Sequence, residues 1–535
     1  MLGGQPIFIL SEGTRRMRGR DARKNDIDAA KAVAETVRST LGPKGMDKML
    51  VDNLGDVTIT NDGVTILKEI DIEHPAAKMI IEIAETQEEE CGDGTTSAVV
   101  LAGELLDKAE EIVDDKIHPA TISNGYRLAS LKAFEILEDL KIPIKIEDEG
   151  ILTDIAKTAM TGKTVELNKD HLAEIALKAV KKIAEEKDGS HQVDIDNVKI
   201  IKKAGASVDE SELIDGLILE KERLHEKMPK KVKDAKIALL NYEFDVKKTE
   251  VDASIEITST DQLQRFIDQE EKSIKKIVDI VENAGADVLI CQKGIDDLAQ
   301  HYLAKAGISA FKDISKSDMK KLAKATGGKV VNNLKDISPE DLGDAELVHE
   351  RKISGSQMTF IEGTKNGTAV SILLRGGTEH IADEVERALK DSLKVIAIAV
   401  EDKAILPGGG ASDVELANRL RKESAKVEGR EQIAFEAFAD SFDIIPTTLA
   451  QNAGLDGIDV LMELNTAHQK EGQKNHGIDI DSGETTDMIE KGIIEPFRVK
   501  SQAIKSATEA TNMILRIDDV IASKGFVKED EEEDW

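Results

Sequence analysis

Apolar residues along this chain recur at two spacings, every second residue or every three to four, and the way the two alternate divides the sequence. DIDAAKAVAETVRSTLG (26–42) carries the helical spacing, with Asp26 near the expected start and Gly42 as the expected stop. VTITNDGVTIL (57–67) alternates apolar and polar residues on either side of Asn-Asp-Gly, which predicts two short strands joined by a tight turn. HPAAKMIIEIAETQEEE (74–90) and SAVVLAGELLDKAEEIV (97–113) return to the helical period. From about 217 to 370 the texture changes. EEKSIKKIVDIVENAGADVLICQKGI (270–295) predicts an amphipathic helix, a glycine stop and a buried strand. DDLAQHYLAKAGISAF (296–311) and SDMKKLAKATGGKVVNNL (317–334) repeat that plan, as in a layered α/β domain. Within this region, residues 243–272 are polar, charged and poor in core residues, and predict an excursion out of the domain. After the strand AVSILL a long helical pattern fills 375–402, a glycine loop follows at ILPGGGASD (405–413), and helical patterns continue to the end.

Composition narrows the classes. At 535 residues the chain is too long for one compact core. Hydrophobic residues make up 40% but aromatics only 3%, so Ala, Val, Ile and Leu must build the interior. The net charge of −32 repels nucleic acid and anionic lipid, so neither is expected as a partner. Against that charge the basic run TRRMRGRDARKND (14–26) is expected to be a solvated or subunit-contacting terminus rather than a nucleic-acid arm. Cys91 and Cys291 lie far apart and fit neither a disulfide framework nor a metal-cluster spacing, which suits a reducing cytosol. No stretch of eighteen uncharged apolar residues occurs, and MLGGQPIFIL lacks the basic leader and cleavage pattern of a signal peptide; a cytoplasmic location is expected. The six acids from Glu529 to Asp534 predict a disordered tail.

The usual nucleotide fingerprints are missing. Gly162-Lys163-Thr164 resembles the end of a phosphate-binding Walker loop, but position 157, where its first glycine belongs, is a lysine. GGGASD breaks the dinucleotide pattern at Asp413. Four other loops have the chemistry of a phosphate cradle, although each has a plainer reading. CGDGTTS (91–97) reads equally well as a helix cap, TLGPKGMDK (40–48) as a helix-ending turn, and NDG (61–63) as a hairpin turn, whereas the three glycines of PGGGASD (407–413) exceed what a cap needs. Asp93 is the awkward residue, because a carboxylate repels phosphate unless a cation lies between them.

Taken together, LGPKGMDK, TITNDGVTILKEI, EEECGDGTTSAVVLAGELL, RGGTEHIADEVERALKDSLKV and LPGGGASDVELA resemble the group II chaperonins, in order and over nearly the whole chain, about 6–528. The resemblance implies a multi-domain α/β protein. Its parts would be a mostly helical equatorial ATPase domain (1–147 and 404–535), an α/β hinge domain (148–216 and 371–403) and an α/β apical domain (217–370) bearing a helical lid protrusion at about 243–272. It implies ATP and Mg²⁺ as cofactors. Asp93 would hold the metal, and Gly94, Thr95, Thr96 and Ser97 would surround the phosphates. Leu41, Gly42 and Pro43 would contact the nucleotide, Gly409, Gly410 and Glu495 the ribose, and Asp479 would lie near the adenine. Lys163 would sense the γ-phosphate, while Asp391 would activate the attacking water with help from Asp62. The implied partners are non-native polypeptides, further copies or sister subunits in a double ring of eight- or nine-membered rings, and prefoldin. Three departures stand out: Ser97 occupies a position where the family often has threonine, though the hydroxyl is kept, Thr447 one where it often has arginine, and 310–319 lacks the expected arginine-rich run. The rival classes are an ATP-using α/β metabolic enzyme and a non-hydrolysing scaffold. Having Asp62, Asp93 and Asp391 together argues against the scaffold.

Overall fold

A small antiparallel sheet pairs Arg15–Arg18 with Asp519–Ala522 and bridges Arg16 to Asp519. The basic segment is therefore tied down by a distant segment of its own chain. The computed structural model describes residues 15–52, 55, 57–163, 165–187, 189–244, 260–364 and 367–522. The acidic tail at 529–534 lies outside them, as do 245–259, the first half of the predicted polar excursion. The chain divides into two compact units, Met1–Lys169 with Ala388–Trp535, and Asp170–Arg387.

The first unit is mostly helical. The helices Gly19–Arg38, Pro75–Cys91, Thr95–Asp114, Pro119–Leu140 and Phe497–Leu515 bury Ala, Val, Ile and Leu at helical spacing in one continuous core. Three of the scarce aromatics pack within it. Tyr126 is fully buried, donates its hydroxyl to the Leu105 carbonyl at 2.8 Å and meets Phe438 edge-on, and Phe438 in turn meets Phe442. Two local expectations are corrected. The first helix begins at Gly19, seven residues before Asp26, and ends at Arg38 rather than running to Gly42, because apolar burial extends back through Ala22 and Asp26 itself is buried in mid-helix. Residues 57–67 do not form a hairpin about Asn-Asp-Gly. Val57–Thr60 pairs instead with the preceding strand Lys48–Val51, and Gly63–Glu69 is a helix. Asp62 decides this, since its carboxylate accepts from both the backbone N–H (2.9 Å) and the hydroxyl (2.6 Å) of Thr65 and so caps a helix instead of closing a turn.

The second unit is α/β, as the alternating pattern predicted. Its main sheet runs, in spatial order, Ser309–Phe311, Val288–Cys291, Lys231–Leu240, Gly343–Ile353, Ser356–Thr364 and Gly216–Leu219, with Val330–Val331 also beside Lys231–Leu240. The strands that follow helices pair in parallel, while Gly343–Ile353 and Ser356–Thr364 form a long antiparallel hairpin. The helices Thr260–Asn283, Asp297–Lys305 and Lys316–Thr326 supply the crossovers. A second, three-stranded sheet places Val370–Gly376 between Val198–Ala204 and Glu212–Ile214. Residues 260–272, the other half of the predicted excursion, are the start of the first crossover helix.

Candidate functional site

All the candidate site residues named above line one cavity of about 370 Å³ in the first unit, although they come from segments as far apart as Leu41 and Glu495. Two helices begin at its wall. Gly94 (φ 78°) precedes Thr95–Asp114 and Gly410 (φ 76°) precedes Ala411–Ser424, both in left-handed backbone that favours glycine. Neither glycine has a side chain to cap its helix; the first N–H groups of Thr95–Asp114 remain available to an anion, whereas at the second helix the Ala411 N–H is already taken by the Gly408 carbonyl at 3.0 Å. The plain cap reading of CGDGTTS fails for that reason. Gln87, fully buried, donates its amide to the carbonyls of Asp93 (2.8 Å) and Val499 (3.0 Å) and pins the loop from behind. The first glycine loop is held similarly, by Asn452 donating to the carbonyls of Arg38 (3.1 Å) and Leu41 (2.9 Å). Sequence reasoning passed over both amides, which carry no motif.

The carboxylates converge around one lysine. Lys163 Nζ lies 2.6 Å from Asp391 Oδ2, and Asp391 is 4% exposed. Burial works against the Lys163 charge, but Asp391 and then Asp93 outweigh it and hold its pKa above the ordinary lysine value. Burial pushes the Asp391 carboxyl up to about 7; Lys163 opposes the shift, and Glu88 and Asp62 add to it. The Asp93 pKa is raised by burial as well, with Lys163 opposing and Asp62 adding a smaller push. Asp62, Asp93 and Asp391 therefore share one electrostatic neighbourhood with one cation among them. Lys394, three residues beyond Asp391, donates to the Glu88 carbonyl (2.7 Å) and carboxylate (2.8 Å) and fastens this stretch of the Glu379–Asp402 helix to the end of Pro75–Cys91.

The opposite end of the cavity is built from PGGGASD, HGIDIDSG and GIIEP. Ile478 donates its N–H to the Gly409 carbonyl at 2.9 Å, joining the glycine loop to the His476–Asp479 strand. The Asp479 carboxylate accepts from Lys491 Nζ at 2.9 Å and from the Asp481 N–H at 3.1 Å, and the Lys491 bond is the main reason its pKa is lowered. Glu495 stands on Ile494–Pro496, paired to Ala404–Pro407. Lys500 bridges it to Asp413. Asp413 and Lys500 were missed from sequence: the first counted only as the residue that spoils a fingerprint, and the second sits in an otherwise ordinary helical pattern.

Among the described residues, no group of three His, Cys, Asp or Glu forms a cage for a metal. Magnesium does not require one, because it commonly takes one or two carboxylates and completes its shell with phosphate and water. Asp93 fits that use. It borders the cavity beside the open N–H groups of the Thr95–Asp114 helix, it accepts the Gly94 N–H on Oδ1 at 2.7 Å, and burial burdens its negative charge, so a cation would be favoured there.

Comparison with known proteins gives the family. The model of the TCP-1/cpn60 chaperonin family matches residues 33–525. The chain is 60% identical over 528 residues to the thermosome subunit beta of Archaeoglobus fulgidus, covering 99% of this chain and 97% of that protein. It is 58% identical over 532 residues to a thermosome subunit of Pyrococcus horikoshii, with the same coverage. Among solved structures, the open-state monomer of a group II chaperonin from Methanococcoides burtonii superposes with a TM-score of 0.60 at 45% identity, over 79% of this chain and all of that one. The chain belongs to the TCP-1/cpn60 chaperonin family.

Proposed function

We propose that this protein is an ATP-hydrolysing chaperone subunit that works in the cytoplasm within a double ring and promotes folding of enclosed non-native polypeptides. The observation that carries this reading is the meeting of Asp62, Asp93, Lys163 and Asp391 at a cavity onto which two uncapped helix N-termini open. Phosphoryl transfer calls for such an arrangement, with fixed donors for the phosphates, a carboxylate for the metal and a second carboxylate for the water.

In this reading the N–H groups of Thr95, Thr96 and Ser97 hold phosphate oxygens, Leu41, Gly42 and Pro43 form the near wall, and Asp93 is the metal ligand. Magnesium, when bound, neutralises phosphate charge. Asp391, with its raised pKa, takes the proton of the attacking water, and Asp62 orients that water from the other side. Lys163, already paired with Asp391, senses the γ-phosphate by exchanging one anion for another. Gly409, Gly410 and Glu495 receive the ribose, and Asp479 borders the adenine. The division into equatorial, hinge and apical domains at the boundaries given above is part of the proposal, as is a lid at 243–272.

Self-association is favoured by the Lys48–Val51 and Val57–Thr60 hairpin, whose Met49, Val51, Val57 and Ile59 are between 45% and 66% exposed, an apolar face that a monomer would leave in water. Sister subunits and prefoldin are the further partners proposed. Native mass and phosphate release on the purified full-length protein test the reading together. A megadalton particle with Mg-dependent ATPase activity is expected, while a monomer-to-tetramer mass or absent hydrolysis would overturn it.

A further inference from the structure

Lys500 is buried, with 7% of its surface exposed, and it lies on the cavity wall. Its ammonium lies 2.8 and 3.1 Å from the two carboxylate oxygens of Asp413 and 3.3 Å from Glu495 Oε1. The Ser412 hydroxyl donates to the same Oε1 at 3.3 Å. Neither donor uses Oε2. Asp413 stands in the first turn of the helix that follows the glycine loop, and Glu495 on the strand just before the Lys500 helix, so one ammonium ties together the two segments of this end of the cavity.

Burying charged groups is costly even when they are paired, and replacing all members of such a cluster by well-packed apolar side chains is often neutral or stabilising. Packing alone therefore does not account for Lys500. Two neighbouring buried acids, by contrast, do not both stay ionised without a cation between them. Burial raises the Glu495 pKa and Lys500 is the largest influence opposing it.

We propose that Lys500 is the positioning residue of the ribose end: by bridging Asp413 and Glu495 it fixes the Glu495 carboxylate as a charged acceptor, with Oε2 left for a ribose hydroxyl of the nucleotide. The inference rests on the reading of the cavity as an ATP site. It assigns Lys500 no contact with the nucleotide itself. Its effect is therefore on discrimination at the sugar, and it reaches the phosphates only indirectly.

The test compares affinities of the full-length protein for ATP, 3′-deoxy-ATP and 2′-deoxy-ATP, with Mg²⁺, in four forms: wild type, Lys500→Met, Lys500→Arg, and Lys500→Met combined with Asp413→Asn. The double variant keeps the charge balance of the pocket should the single variant fail to fold. Wild type is expected to favour ATP over at least one deoxy form by roughly tenfold or more, the scale of one hydrogen bond to a charged group. Lys500→Met and the double variant should bring that ratio below about threefold, and Lys500→Arg should retain part of it. A purely structural role would weaken all three nucleotides in step and leave the ratio intact. An unchanged ratio in the folded Met or double variant overturns the inference while leaving the ATP site standing. If wild type binds none of the three, the ATP reading falls and takes the inference with it. If wild type binds ATP, 3′-deoxy-ATP and 2′-deoxy-ATP equally, the ribose assignment falls and the inference with it, while the ATP site stands.

Discussion

At one end of the cavity Lys163 faces Asp62, Asp93 and Asp391, and at the other Lys500 faces Asp413 and Glu495. Both lysines are enclosed, and both hold their charge because carboxylates outweigh the cost of burial. They differ in how completely they satisfy their neighbours. Lys500 bonds both acids directly, so its end keeps a single negative charge in excess and its two segments are tied together before any ligand arrives. Lys163 bonds only Asp391 and acts on Asp62 and Asp93 through space, which leaves a surplus of negative charge. In the proposed reading, the larger surplus lies at the end that takes a divalent cation and supplies a proton acceptor. In the same reading, the more fully bonded end serves shape and orientation.

The largest expected effect breaks the comparison at the phosphate end. Asp391→Ala should leave ATP affinity within a few-fold of wild type and lower turnover at least ~100-fold, the scale of a lost general base, or about 2.7 kcal/mol of barrier. Single-turnover phosphate release alongside nucleotide binding checks it, and near-normal turnover would refute the role given to Asp391. Asp93→Ala should instead act on binding. ATP affinity in the presence of Mg²⁺ should fall by tens of fold, while affinity measured in EDTA should change little. Equal losses with and without metal would assign Asp93 to the loop's structure alone.

The Asp391 pKa of about 7 adds a pH dependence. The carboxylate must be ionised to accept a proton, so turnover should drop as pH falls through about 7, approaching tenfold per unit on the acid side. Lys163 holds that pKa down; in Lys163→Met the acid limb should move to higher pH. A profile flat from pH 6 to 8, with chemistry shown to be rate-limiting, would remove Asp391 as the base. Gly410→Ala should have a smaller effect at the other end. The new methyl would sit 2.8 Å from Pro446 Cβ and 3.1 Å from its Cα, in a backbone with φ 76° that costs roughly 1–2 kcal/mol without glycine. Nucleotide affinity should fall about tenfold by titration calorimetry, with turnover at saturation preserved.

The parts legible in the sequence were those written in short-range spacing. The helices at 75–91 and 95–114 and the helix–glycine–strand plan between 270 and 331 follow from residues that are neighbours in the chain. The misreadings came where two local signals competed. Asn61-Asp62-Gly63 serves a hairpin and a helix cap equally well on paper, and only the bonds to Thr65 select the cap. The site was legible for another reason. Its loops match a family in order, and that order singled out Asp391, which is buried at the cavity, although its own neighbourhood, with Lys390 and Lys394 alongside, reads as a solvated helix face. Lys500, Gln87 and Asn452 stayed hidden because their partners lie far off in sequence, at Asp413, Val499 and Leu41, a pairing that no spacing along the chain reveals.

The smallest expected effect probes whether the saturated end is as passive as its bonding implies. The Asp479 carboxylate already accepts from Lys491 and from the Asp481 N–H, so it has little left with which to read a base. Asp479→Asn keeps an oxygen for the Asp481 N–H and gives up only the ion pair to Lys491, whose side chain is half exposed. Pairs of that kind contribute about 0–1 kcal/mol. ATP affinity should change by no more than about threefold, and the preference for ATP over GTP should stay where it was. A tenfold loss confined to ATP would mean that Asp479 leaves Lys491 to meet the adenine. The two ends would then differ only in degree, each exchanging an internal partner for a part of the nucleotide.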